Sequence, residues 1–204
     1  MTLLRLAHLS DPHLAVALPA PRASEWLSKR SLSRLSWARG RKHLQKPAVL
    51  AAAVADIRAL SPDHVVVTGD VTNFSLPAEF SAAARWFVQL GSPQQLSVIP
   101  GNHDALVPVA FEQGWAHWLP WMQGDEPISD AAPLPYLRRR NGVALLGLSS
   151  AVPTAPGMAS GTLGAAQLDW LAEQLASLRT EGLFRVVLLH HPPADGVVRA
   201  RKAL

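Results

Sequence analysis

The chain has 204 residues, 49% of them apolar, no cysteine and a net charge of +4. That length can bury one sizeable core and reads as a single domain over 1–204. Without cysteine, disulfides, zinc-thiolate sites and thiol nucleophiles are excluded. Any metal must be held by His, Asp, Asn, Glu or backbone oxygen, a donor set suited to Mn, Fe, Zn or Mg.

In chain order, Leu3 to Leu9 reads as a first strand leading into Ser10-Asp11-Pro12-His13. The N-terminus is too short and too early interrupted for a signal peptide, and no apolar stretch reaches the eighteen or so residues that span a bilayer, so a cytoplasmic protein is expected. A basic insertion follows, at about 15–46. Between Arg22 and Lys46 stand eight basic residues and one acid, a balance of +7, while the remainder carries −3 from 11 basic and 14 acidic residues. A charge run of this kind is often only a solvated helix face. With Trp26, Leu27, Leu32, Leu35 and Trp37 it could also cap the active site, lie on a membrane surface or join two protomers as a homodimer.

Pro47 opens a helix over Ala48 to Leu60, with Leu50, Val54, Ile57 and Leu60 at helical spacing. Val65 to Val67 is a short buried strand ending at Gly69-Asp70. A helix over Pro77 to Leu90 stops at Gly91, and Leu96 to Ile99 is a strand ending at Gly101-Asn102-His103-Asp104. A Trp-rich helical stretch from Phe111 to Met122 and a Pro-interrupted loop lead to a strand at Val143 to Leu148. Leu168, Leu171, Leu175 and Leu178 mark a last amphipathic helix, and Arg185 to Leu189 a strand delivering His190-His191-Pro192. Strands alternating with helices, with the chemistry in loops at strand ends, indicate an α/β arrangement.

The four strings differ in specificity. Asp11 and His13, two apart beyond a strand, share one side if the chain stays extended and could grip one cation; alone, Asp-Pro-His also makes an ordinary turn. Asp70 ends a buried apolar strand and must be paired or face a cleft, because an isolated buried carboxylate is costly; it could bridge two metals. In Gly101-Asn102-His103-Asp104, Gly101 permits a tight turn, Asn102 offers a carbonyl oxygen, His103 is placed to meet substrate and Asp104 could orient its imidazole. Of the adjacent His190 and His191, at most one is a direct ligand. His8 and His64 lie at strands and read as structural.

Taken together, in this order and at these intervals, the strings resemble the calcineurin-like metallophosphoesterase family from about Leu3 to Pro193, and specifically its small bacterial-type phosphodiesterases. The resemblance implies a four-layer αββα sandwich of two mixed sheets with a dinuclear centre of two divalent or trivalent cations. By the motif, Asp11 and His13 hold the first metal, Asp70 bridges, Asn102 and His190 hold the second, His103 is the catalytic histidine assisted by Asp104, and His191 contacts the phosphate or supports the site from behind. It implies hydrolysis of small phosphate esters, foremost phosphodiesters, by a metal-activated hydroxide. A nuclease acting on nucleic acid and a catalytically impaired binding protein are the alternatives. The family closes its site with Gly-His-x-His, and no His follows His191 in this sequence. The expectation is therefore a C-terminally incomplete domain with three protein ligands per metal, an uncovered edge on the second sheet, and a tail from Ala194 to Leu204 without strand or cap signals.

Overall fold

The structure, a computed structural model, describes residues 3–17, 19–20, 25, 28–126 and 133–194. Arg22, Trp26, Leu27 and the tail from Asp195 onward lie outside the described residues.

Strands β1 (Leu6–Leu9), β2 (His64–Thr68) and β3 (Leu96–Ile99) form one sheet in the order β1-β2-β3, parallel throughout. Strands β4 (Tyr136–Arg140), β5 (Val143–Gly147) and β6 (Phe184–Leu188) form a second sheet, antiparallel between β4 and β5 and parallel between β5 and β6. Among the described residues only this second sheet is mixed; the first is purely parallel, because each of its strands is joined to the next through at least one helix. Helices α1 (Lys29–Ser36), a π turn over Trp37–Arg41 and α2 (Lys42–Leu44) precede α3 (Pro47–Leu60), α4 (Pro77–Leu90) and α5 (Ala165–Ser177).

The layering follows from residue alternation on β5. Leu145 joins a core with Val65, Val67 and Val98 of the first sheet, whereas Ala144 and Leu146 pack with Trp170, Leu171 and Leu175 of α5. On the far side of the first sheet, Val54 and Ile57 of α3 and Phe80, Ala83 and Phe87 of α4 complete the core. The sheets are keyed together by Tyr136, whose hydroxyl donates to the Val98 carbonyl at 3.0 Å while its ring lies over Gly147, where a Cβ would overlap it. An α/β sandwich results, with β6 at the edge of the second sheet among the described residues.

Most boundaries follow the sequence: α3 and α4 start at Pro47 and Pro77, where the missing N–H is no loss, and α4 is capped by Gly91. The Trp-rich stretch forms two 3-10 helices, Phe111–Gln113 and Trp115–Trp121, since Pro120 forbids a regular α-helix there. Strand β4, which the sequence reading took for loop, is Tyr-Leu-Arg-Arg-Arg. It is a strand because Asn141 and Gly142, at φ 40° and 84°, make a two-residue hairpin turn into β5. Its buried Arg138 donates to the carbonyls of Pro93, Leu96 and Gln123 at 2.6–2.7 Å, which binds the Pro93 to Leu96 approach and the Gln123 loop to the second sheet.

Candidate active site

Three strand ends and the end of β6 converge. Beyond β1 and β2 the ladder continues into the loops, with Asp11 N–H bonding Gly69 O at 3.1 Å, His13 N–H bonding Asp70 O at 3.0 Å and Leu14 N–H bonding Val71 O at 2.9 Å. The loop is not extended as the sequence reading supposed: Asp11, His13 and Asp70 sit in the left-handed region at φ 55°, 40° and 54°. Three non-glycine residues in this sparsely populated region mark a place where the surroundings over-determine the backbone. The turned backbone, and not strand alternation, brings the side chains of Asp11 and His13 together.

His13 Nε2 lies 4.0 Å from Asp11 Oδ1 and 3.8 Å from Asp70 Oδ2. His190 Nε2 lies 3.6 Å from Asp70 Oδ1 and 3.3 Å from Asn102 Oδ1. Two groups of candidate ligand atoms, each within 4.8 Å, share Asp70: one contains His13 and His103, the other Asp11 and His190. The geometry thus brings Asp11, His13, Asp70, Asn102, His103 and His190 to one place, but draws His103 beside His13 and Asp11 beside His190, a grouping the motif did not anticipate.

All three imidazoles are held in the same sense. Nδ1 of His13, His103 and His190 meets the carbonyls of Thr72 at 3.2 Å, Asn73 at 2.8 Å and Thr68 at 2.7 Å. A carbonyl only accepts, so each Nδ1 carries the hydrogen and each neutral ring has its lone pair on Nε2. Around Asp70 the facing groups are then mostly lone pairs: two carboxylates, the Asn102 oxygen and imidazole nitrogens. Backbone-anchored imidazoles offering Nε2 are the usual arrangement of metal-binding histidine. The donor set fits oxygen- and nitrogen-seeking divalent ions.

Two of the motif residues make contacts of their own that bear on their roles. Asp104 turns its carboxylate toward backbone amides. It is 2% exposed, and its carboxylate accepts from the backbone N–H of Gly101 at 2.9 Å, Thr72 at 2.8 Å and Val71 at 3.3 Å. Burial pushes its carboxyl upward and these bonds oppose the shift. It therefore ties the Gly101 loop to the Asp70 loop, and the Asn73 carbonyl orients His103. His191 has both ring nitrogens engaged, Nδ1 with Ser150 Oγ at 2.7 Å and Nε2 with Ala159 O at 3.0 Å, so its ring clasps these two segments where it lines the cleft. Burial and the neighbouring His190 push it down to about 4. His8 and His64 are structural as expected, bonded to Thr68 Oγ1 at 2.7 Å and Ser97 Oγ at 2.8 Å.

Gly101 serves close approach. A Cβ there would overlap the Asp70 carboxylate and lie 2.8 Å from His190 Cε1. Asp70 Oδ1 also accepts the backbone N–H of His103 at 2.7 Å. Sequence reasoning passed over Asn73 and Glu79. Glu79 accepts from the N–H groups of Asn73, Phe74 and Leu76 at 2.9–3.0 Å and so shapes the loop that aims the Asn73 carbonyl. A Glu three residues after the turn before a Pro-initiated helix was the available signal.

The cluster opens into a cleft of about 770 Å³, lined on its other side by Lys29, Leu32, Ser33 and Ser36 of α1 and by residues 156–159. Of the three placements left open for the basic insertion, α1 lies against this cleft. Arg30 fixes it, donating to Phe74 O at 2.9 Å, Ser75 O at 2.6 Å and Glu25 at 3.1 Å.

Comparison with known proteins agrees with this arrangement. The sequence profile of the calcineurin-like phosphoesterase family matches residues 4–203. A cAMP/cGMP dual specificity phosphodiesterase of Mycobacterium tuberculosis (strain CDC 1551 / Oshkosh) is 31% identical over 143 residues, 68% of this chain and 39% of that protein. Probable cyclic nucleotide phosphodiesterases of Synechococcus sp. PCC 6301 and WH7803 are 29% and 28% identical, over 70% and 93% of this chain and 48% and 60% of those proteins. The matched stretch thus spans less than two thirds of each of these relatives. Among the described residues no helix is long and apolar enough to cross a membrane. With the family profile running nearly end to end and its strings meeting at one cleft, the chain belongs to the calcineurin-like phosphoesterases.

Proposed function

We propose that this chain is a metal-dependent phosphodiesterase acting on small phosphate diesters, and that residues 15–46 are an insertion into one catalytic domain. The observation that carries the reading is the pair of ligand groups joined through Asp70, with the imidazoles of His13, His103 and His190 all anchored through Nδ1 and presenting Nε2. The similarity to proteins named as cyclic nucleotide phosphodiesterases supports a diester substrate.

In this reading Asp11, His13, Asp70, Asn102 and His190 hold two cations. When bound, such ions neutralise phosphate oxygens and lower the pKa of water, which supplies the nucleophile. The chain's own contributions are positional and protonic. Asp70 is fixed by the His103 backbone N–H and by the absence of a side chain at Gly101, so its two oxygens are spread between the two groups. His103 keeps Nδ1–H on the Asn73 carbonyl; protonated at Nε2, it donates a hydrogen bond or a proton to the departing alkoxide. Asp104 keeps the Gly101 and Asp70 loops in register without entering the chemistry.

The test is hydrolysis of bis(p-nitrophenyl) phosphate by the purified chain in added Mn²⁺, with bound metal measured on the same sample and Asp70→Asn as control. Hydrolysis with bound metal in the parent chain, and neither in the variant, is expected. A folded chain that neither takes up Mn²⁺ nor hydrolyses the diester would overturn the reading.

A further inference from the structure

Lys29 is the first residue of α1, a helix with no acidic residue in its first turn. A cation at that end opposes the helix dipole, so local helix electrostatics do not account for it. Its Nζ donates to Thr154 Oγ1 at 2.6 Å and to Met158 O at 2.9 Å, while Thr154 Oγ1 itself donates to Met158 O at 2.8 Å. Two of the three ammonium hydrogens are thus used by neutral acceptors, and among the described residues no carboxylate lies within 4.0 Å. Burial lowers the Lys29 pKa. The side chain nevertheless lines the same cleft as Asp70 and His103, and Leu32, Leu106 and Met158 supply apolar lining to that cleft.

A half-buried ammonium with a spare hydrogen, held by two neutral acceptors of the 154–158 segment and lining a cleft, is a prepared anion site. We propose that Lys29 is a substrate-binding residue that receives a second anionic group of the substrate, separate from the phosphate handled at the Asp70 cluster. The inference rests on the phosphoesterase reading and narrows its substrates to phosphate esters bearing a further phosphate or carboxylate. The apolar wall accommodates the organic body between the two anions. Thr154 and Met158 serve to position the ammonium.

Calorimetric titration of the Mn²⁺-loaded full chain with thymidine 5′-monophosphate and with thymidine 3′,5′-bisphosphate tests this. One charge-assisted contact predicts that the bisphosphate binds tighter by about tenfold or more. Lys29→Gln, which keeps a donor for Thr154, is expected to erase that advantage and leave monophosphate affinity unchanged; Lys29→Arg is expected to retain it. Thermal melts confirm that both variants are folded. Equal binding of the two nucleotides by the parent chain, binding of neither, or equal weakening of both in Lys29→Gln would overturn the proposal. Bis(p-nitrophenyl) phosphate hydrolysis, followed on the same samples, reports separately on the phosphodiesterase reading. A chain that prefers the bisphosphate through Lys29 yet hydrolyses no diester would sink that reading and leave the anion site standing.

Discussion

Replacing Gly101 by alanine adds one methyl group at the most crowded point of the site. Its Cβ would collide with the Asp70 carboxylate and backbone N, and would sit 2.8 Å from His190 Cε1. None of these neighbours can yield freely, because the Asp70 carboxylate is pinned by the His103 N–H at 2.7 Å and His190 by the Thr68 carbonyl at 2.7 Å. Overpacking of a closed site costs about 1–3 kcal/mol. For a chain of this size each kcal/mol lowers Tm by about 2–4 °C, so a loss of about 6–12 °C is expected at the upper end. The carboxylate moves with the clash, so Mn²⁺ affinity should fall by about 10–100-fold, the usual effect of disturbing what supports a ligand. Calorimetry gives the Tm and titration with Mn²⁺ the affinity. Gly164→Ala is the control, since that glycine has φ −70° and nothing within 4 Å of its Cβ position. A Gly101→Ala protein with unchanged Tm and unchanged Mn²⁺ affinity would refute the close-approach argument.

His103→Ala is expected to lower turnover on bis(p-nitrophenyl) phosphate by about 10²–10⁴-fold with metal content retained; loss of one metal equivalent, read by elemental analysis, would instead make His103 a ligand of the group it shares with His13 and Asp70. Arg138→Met leaves the carbonyls of Pro93, Leu96 and Gln123 without their donor in a buried site, a loss of about 3 kcal/mol or more by urea unfolding. Glu79→Gln retains volume but turns one acceptor oxygen into a donor facing backbone N–H groups, and should destabilise by about 1–3 kcal/mol while misaiming the Asn73 carbonyl. Burial, with Arg138 and Arg140 nearby, pushes His64 down to about 4 from 6.5. Between those values the unfolded chain binds the proton and the folded one does not, so His64 contributes stability above pH 6.5 that is lost as pH falls toward 4, about 3 kcal/mol in all. His64→Gln should remove that slope from the pH-stability curve; an identical slope in parent and variant would show that another group titrates there.

The helices and most strands were legible because their signals are local. Pro47 and Pro77 pre-set the first helical turn, Val65 to Val67 can only be a buried strand, and Gly91 stops α4. The same holds for the order of the four site strings, since residue types that prefer metals are rare at consecutive strand ends by chance. Strand β4 was hidden because charged Arg residues mask alternation, although Asn141-Gly142 announced its hairpin. The hydrogen-bond partners within the site were hidden for a different reason. Asp104 follows His103 in sequence, yet its carboxylate turns toward Val71 and Thr72, thirty-odd residues away, and the carbonyl that holds the imidazole belongs to Asn73. Hydrogen-bond direction depends on where a loop folds back, which adjacency cannot reveal.

By itself the sequence determined the α/β class and the family, because those depend on residue type, period and spacing. Tertiary structure alone decided which nitrogen each histidine offers and that Gly101 must lack a side chain. It also decided that the basic stretch supplies Lys29 to the cleft, since carbonyl partners, close approaches and cleft walls arise only between segments far apart in the chain.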